Sequence, residues 1–132
     1  MEERLEAARR CQEAGYTVRF KFKPLIPIRG WREETTDMLE QLFRQVQPDN
    51  LSFEMVFFDT MEEMDAAFGL ENLDPEFVEA AWAAQRGPEP WDTSLHGQRP
   101  FPFEVTETLY RHFLTEAKRL SPTTPVTLCA ET

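Results

Sequence analysis

Cysteine is scarce in this sequence. Cys11 and Cys129 sit near opposite ends of 132 residues, and neither has partners at metal-ligand spacing. That excludes a disulfide scaffold and a zinc or iron–sulfur motif built from this chain's own residues. Glycine is scarce too: five are scattered at 15, 30, 69, 87 and 97, which leaves no Gly-rich phosphate loop. GxSxG, HExxH and DxDxDG are all absent. No apolar run approaches the ~20 residues of a membrane span, and residues 1–20 lack the apolar core of a signal peptide. The expectation is a soluble, cytoplasmic protein with no membrane partner. The two histidines, His96 and His112, lie in different elements and are expected to be surface or partly packed groups.

Positive charge is also in deficit, with 14 basic residues against 24 acidic and a net charge of −10. Such a balance opposes nonspecific association with a polyanion. The charges are unevenly spread. Residues 17–32 carry Arg19, Lys21, Lys23, Arg29 and Arg32 with no acid, whereas residues 49–92 carry twelve acids against Arg86 alone. The pattern reads as a solvated acidic surface with one locally basic strand. That strand could still meet a phosphate or a carboxylate.

Apolar material is plentiful: 41% hydrophobic and 12% aromatic residues, including 11 Phe and 3 Trp. This argues against disorder. A domain of this length buries roughly two-thirds of its unfolded surface and needs no staples.

The pattern along the chain predicts alternating helices and strands. Leu5, Ala8 and Gln12 stack on one helical face with Ala7, Cys11 and Ala14 beside them, and Gly15 stands where a left-handed cap belongs. Residues 16–23 alternate with period two, Val18, Phe20 and Phe22 on one face and Arg19, Lys21 and Lys23 on the other. Pro24 and Pro27 are expected to end that strand. A helix over 33–46 presents Met38, Leu39, Leu42, Phe43 and Val46, with Glu33, Glu34 and Asp37 at its start. Residues 51–58 read as a strand buried on both faces, and 61–69 as a short helix. Asp74-Pro75 opens a helix to Arg86, residues 87–102 form a proline-containing loop, 104–119 a last helix, and 125–129 a closing strand. Strands separated by helical crossovers imply βαβ units and about three parallel strands. Parallel strands usually occur in larger, covered sheets, so the expected fold is α/β, a partial (β/α) barrel fragment rather than a whole barrel.

Several side chains invite chemistry and have plainer explanations. Glu62, Glu63 and Asp65 could hold a hard cation, but the acidic start of a helix accounts for them. Trp31, Trp82 and Trp91 are expected to cover the core rather than stack a ligand. Cys11 and Cys129 read as inert buried thiols. The strongest local pattern is Lys21-Phe22-Lys23-Pro24-Leu25-Ile26-Pro27-Ile28-Arg29-Gly30-Trp31. Ligands of parallel α/β folds bind beyond the carboxyl ends of strands, and this basic strand end would suit an anionic group. If its basic face looks inward, Lys21 or Lys23 needs a carboxylate, and Glu54 on the neighbouring strand is the candidate. If it looks outward, the lysines are solvated.

The order of motifs resembles the later barrel half of spore photoproduct lyase-like radical S-adenosylmethionine proteins. The resemblance runs from Leu5-Glu6-Ala7-Ala8 and Ala14-Gly15-Tyr16 through Val18 to Pro27, Gly30-Trp31, Pro48-Asp49 and Ser52-Phe53-Glu54. It continues in Leu73-Asp74-Pro75-Glu76-Phe77, Pro100 to Glu104, Tyr110-Arg111 and Thr124 to Thr132. It implies a partial (β/α)₆ barrel and reductive cleavage of S-adenosylmethionine by a 4Fe-4S cluster. In the lyase itself the substrate is a thymine dimer in spore DNA. The cluster of the full-length family is held by a CxxxCxxC loop, three thiolates leaving one iron open. This chain has no such loop, so neither cofactor is expected to bind it alone, and no catalytic residue or metal ligand is assigned to it.

The resemblance places Lys23, Pro24 and Leu25 near S-adenosylmethionine, largely through backbone, and Glu54 on the sixth, cavity-lining strand. The family's DNA-contacting hairpin would fall near residues 86–103. Arg86, Trp91, His96 and Arg99 match it poorly there, which argues against DNA as a partner. On this reading residues 1–132 are one domain, the C-terminal part of a barrel whose N-terminal, cluster-binding half is absent. That half, or a second copy of the chain, is the expected partner. The alternative is a stand-alone acidic α/β interaction module that dimerises through an edge strand.

Overall fold

In a computed structural model of the chain, residues 1–56, 60–86 and 100–128 are described. The first helix, α1 (Glu2–Glu13), closes where the glycine predicts. Gly15 takes φ +92°, its N–H reaches the Gln12 carbonyl, and the Tyr16 N–H reaches the Cys11 carbonyl. These are the two bonds of a Schellman closure. Leu5 is buried and Ala8 and Gln12 half-buried, but Ala7, Cys11 and Ala14 are exposed. The expectation of a buried thiol at Cys11 is corrected: α1 buries one narrow stripe, and the small residues beside it face solvent.

The strands β1 (Arg19–Leu25), β2 (Asn50–Met55) and β3 (Val126–Leu128) form one sheet in the order β1-β2-β3. All three are parallel: Leu51, Ser52 and Phe53 pair with Val126, Thr127 and Leu128. The bonds Asp49 N–H to Val18 O and Val56 N–H to Leu25 O rise together along β2 and β1. Contrary to expectation, β1 does not stop at Pro24 but runs through it to Leu25. An outer strand tolerates proline, because one of its two sides forms no ladder. Helix α2 (Trp31–Gln45) links β1 to β2, and α3 (Met61–Phe68), α4 (Pro75–Arg86) and α5 (Phe103–Leu120) precede β3. The architecture is mixed α/β with one three-stranded parallel sheet and flanking helices. No helix among the described residues is long and apolar enough to cross a membrane.

The chain divides into two compact units. The first comprises Met1–Phe22, Arg32–Glu54 and Arg111–Thr132. Leu5, Leu39, Leu42, Val46, Leu51, Phe53, Phe113 and Ala117 are buried in it. The Phe113 ring lies 4.1 Å from that of Phe53 and 5.5 Å, edge-on, from Phe22. A polar clasp closes this unit at the amino ends of β2 and β3. The Gln47 side-chain amide donates to Thr124 Oγ1 at 2.9 Å, while its backbone pairs in both directions with the Gln12 side chain.

The second unit comprises Lys23–Trp31 and Met55–Tyr110. Its core gathers Trp31, Met55, Val56, Met61, Met64, Leu73, Phe77, Ala81, Phe101, Val105 and Leu109. Phe77 meets Trp31 and Phe101 edge to face, with centroids 5.8 and 5.6 Å apart, a favoured aromatic geometry. Trp31 is thus core, as expected, and Trp82 packs against the same cluster. Trp91, His96, Arg99 and Cys129, with most of the expected 87–102 loop, lie outside the described residues.

Candidate functional site

The candidate site is built on the end of β1. Phe20 and Phe22 are half-buried, while Arg19, Lys21, Lys23 and Pro24 are exposed. Of the two orientations left open by the alternation, the basic face is therefore the outward one. Arg19 lies 3.5 Å from Asp49 in an exposed ion pair, a kind of contact that contributes little. The Lys23–Pro24 peptide is cis. Leu25, where the strand ends, accepts the Val56 N–H on its carbonyl at 3.0 Å and packs against the core of the second unit.

The segment that follows is tied down along its length. The buried Pro27 offers its carbonyl to the Asp74 N–H at 2.8 Å, and Ile28 forms an antiparallel bridge with Leu73. The Arg29 N–H reaches the Asn72 carbonyl at 2.9 Å, and its Nε reaches the Glu71 carbonyl at 2.6 Å. Gly30 turns the chain at φ +78°, where a side chain would strain the backbone. Trp31 then donates its indole N–H to Asp74 Oδ2 at 2.9 Å. The other oxygen, Oδ1, accepts the Glu76 N–H at the start of α4, the N-cap that Asp-Pro predicts.

This is a braced loop, not an adaptable phosphate loop. Arg29 directs a donor at a carbonyl, and Arg32 shares a surface depression of about 270 Å³ with Glu33, Thr36, Asp37 and His112. There the His112 Nε2 lies 3.1 Å from the Arg32 carbonyl, the partly packed histidine that was expected. An anion would meet acids in that depression.

Of the proposed site residues, Lys23, Pro24 and Leu25 follow one another in the second unit, and Glu54 belongs to the first. Glu54 is buried on β2, only 6% exposed, between the equally buried Phe53 and Met55. Among the described residues no buried side-chain nitrogen or oxygen lacks a partner. Two contributors were named from the sequence without the role they play here. The Tyr110 hydroxyl accepts the Met55 N–H at 2.9 Å at the end of β2, and Asp74 braces the loop as well as capping its helix. Asp-Pro flagged the cap; nothing local flagged the loop contact or the tyrosine.

Metal chemistry finds little here. Among the described residues no group of three or more His, Cys, Asp or Glu side chains could hold a metal ion. In the acidic cluster, Glu63 forms a capping box with Thr60, and Asp65 Oδ1 accepts the Leu70 N–H. A 4Fe-4S cluster with three thiolate ligands would need a third cysteine, whereas the sequence offers two, one of them exposed on α1. The donor set does not fit the cluster. Near the expected DNA hairpin, Arg86 lies over the Trp82 ring, 5.7 Å from its centroid.

Comparison with protein families matches residues 1–63 to the family described as spore photoproduct lyase. The match spans α1, β1, α2 and β2 and enters α3. No curated protein and no solved structure matches the chain.

Proposed function

Starting from a chain whose first 63 residues are spore photoproduct lyase-like, we propose that it supplies late barrel strands and part of the S-adenosylmethionine and substrate cavity of a radical protein. In this reading the cluster is held by residues other than its own. The family match is the observation that carries the proposal, because it includes the strand-end motif Lys23-Pro24-Leu25. Two features support it. The strands are parallel and separated by helices, so their carboxyl ends are the ligand-binding ends. The segment beyond β1 is braced from Pro27 to Trp31, as a wall that presents backbone should be.

Lys23, Pro24 and Leu25 approach S-adenosylmethionine through backbone, and Glu54 carries over from the family's cavity-lining strand. A cluster carried by a partner would supply reductive cleavage of S-adenosylmethionine there, and this chain's part would be the backbone wall from Lys23 to Leu25. In this reading the iron is held by residues outside this chain. The expected partner is therefore a cluster-bearing barrel half, with DNA disfavoured by the net charge of −10. The rival, a module that dimerises through an edge strand, has less behind it. Among the described residues the outer strand β1 exposes Lys21, Lys23 and Pro24, which discourages edge pairing.

Anaerobic reconstitution with iron and sulfide tests the claim. The chain alone should take up no stoichiometric 4Fe-4S cluster, and one that forms would overturn the assignment. Free S-adenosylmethionine at millimolar concentration should give transient contact short of retention. It is expected to shift the amide resonances of Lys23 and Leu25 while leaving Thr127 on β3 unmoved.

A further inference from the structure

We infer that Tyr110 is a positioning residue for the strand-end site, fixing the carboxyl end of β2 so that Val56 can hold Leu25. The inference rests on the reading of Lys23–Leu25 as the S-adenosylmethionine contact.

Successive N–H groups of a strand point to opposite sides. On the β3 side of β2, the Leu51 N–H goes to the Pro125 carbonyl. Four residues on, the Met55 N–H points to that same side and is taken by a side chain, the Tyr110 hydroxyl, at 2.9 Å. The next N–H, that of Val56, points the other way and reaches the Leu25 carbonyl at 3.0 Å. Two adjacent amides therefore pin the end of β2, one to α5 and one to the end of β1.

Both residues are buried, Met55 at 4% and Val56 at 5% exposure, so an amide released here would not simply turn to water. The tyrosine packs against the buried core of its unit, the cluster that includes Leu109, which restricts where the hydroxyl sits. Packing belongs to the ring and register to the hydroxyl, and the two can be separated.

Tyr110→Phe keeps the ring and removes the acceptor; Leu109→Ala damages the same core while sparing it. Hydrogen exchange at Met55 and Val56, read against Leu51 and Phe53, should quicken about tenfold in Tyr110→Phe and keep its ratio in Leu109→Ala. The amide shifts that millimolar S-adenosylmethionine gives at Lys23 and Leu25 should shrink about tenfold in Tyr110→Phe, because fewer molecules hold the competent geometry. Leu109→Ala should lower the thermal midpoint and leave those shifts unchanged. Unchanged exchange at Met55 and Val56 in Tyr110→Phe would overturn the inference, as would an equal loss of shift in both variants. If the unsubstituted chain shows no shifts at Lys23 and Leu25, the strand-end reading fails. The role of Tyr110 then stands or falls on the exchange ratio alone.

Discussion

Asp74 acts on two elements at once, and one of its partners lies 43 positions away. Its Oδ1 caps α4 and its Oδ2 satisfies the indole N–H of Trp31, a residue only 3% exposed. Asp74→Ala should therefore cost about 2–4 kcal/mol, the loss of a cap together with a buried donor left unpaired. Asp74→Asn keeps the capping oxygen but turns an NH2 toward the indole N–H, so it should recover only the cap, about 1 kcal/mol. Urea denaturation of the two variants measures the difference, and equal midpoints would show that the cap contributes nothing. Gly69 makes a different demand. It holds φ +75° and ψ 124°, and a Cβ there would come within 2.6 Å of the Glu71 carboxylate. The Glu71 side chain can swing aside, so the lasting cost is the backbone, about 1–2 kcal/mol for Gly69→Ala. Adding Glu71→Ala should recover little of that loss; full recovery in the double variant would assign it to the clash. At this scale the sequence displays a residue's local duty and hides its distant one: Asp-Pro announces the cap, but no spacing announces Trp31.

Elements were more legible than contacts, because a helix or strand is written in a period and a contact is not. The closure of α1 at Gly15, the apolar stripe of α2 and the register Val105, Leu109, Phe113, Ala117 of α5 follow from periodicity and turn chemistry. The continuation of β1 through Pro24 does not follow, since a proline ends a strand only where its N–H would have been used, and that depends on which strand is outermost. The candidate site divides the same way. The strand end was visible in the sequence, whereas its bracing by residues 71–74 and by Tyr110 depends on tertiary placement. Helix α1 adds a pH-dependent device. Glu6 accepts hydrogen bonds from Arg9 and then Arg10, which hold its carboxyl at about 2 against an ordinary 4.5. A carboxyl lowered by folding stabilises fully above its unfolded value, so this contribution is complete above pH 4.5 and is lost as pH falls through about 2. Circular dichroism across that window should show a shallower acid loss of helix in Glu6→Gln. Added salt should shrink the difference, because the network is exposed. Identical acid profiles would remove Glu6 from the account.

For the molecule as a whole, the question is what meets the outer strands. Among the described residues the sheet has three strands, so β1 and β3 each present one unpaired side. The first is guarded: β1 carries Arg19, Lys21 and Lys23 on its exposed face and Pro24 in its backbone. Cations and proline on an edge oppose pairing with a like strand, since two copies of β1 would bring the same charges together. The acidic remainder acts in the same direction, because a net charge of −10 repels a second copy at low ionic strength. The chain should therefore run as a monomer in size-exclusion chromatography with light scattering at neutral pH and low salt. Replacing the guard should change that. Lys21→Val lies on the exposed face, preserves strand propensity and removes a charge, and with Arg19→Thr it should shift the mass toward a dimer or larger species. Raising the salt concentration should act in the same direction by screening the remaining repulsion. A dimer in the unsubstituted chain would show that the edge guard fails, and it would put the rival reading, the self-pairing module, ahead. A monomer that gains mass only when the guard is removed leaves those strands for a partner of different sequence, as a cluster-bearing barrel half would be.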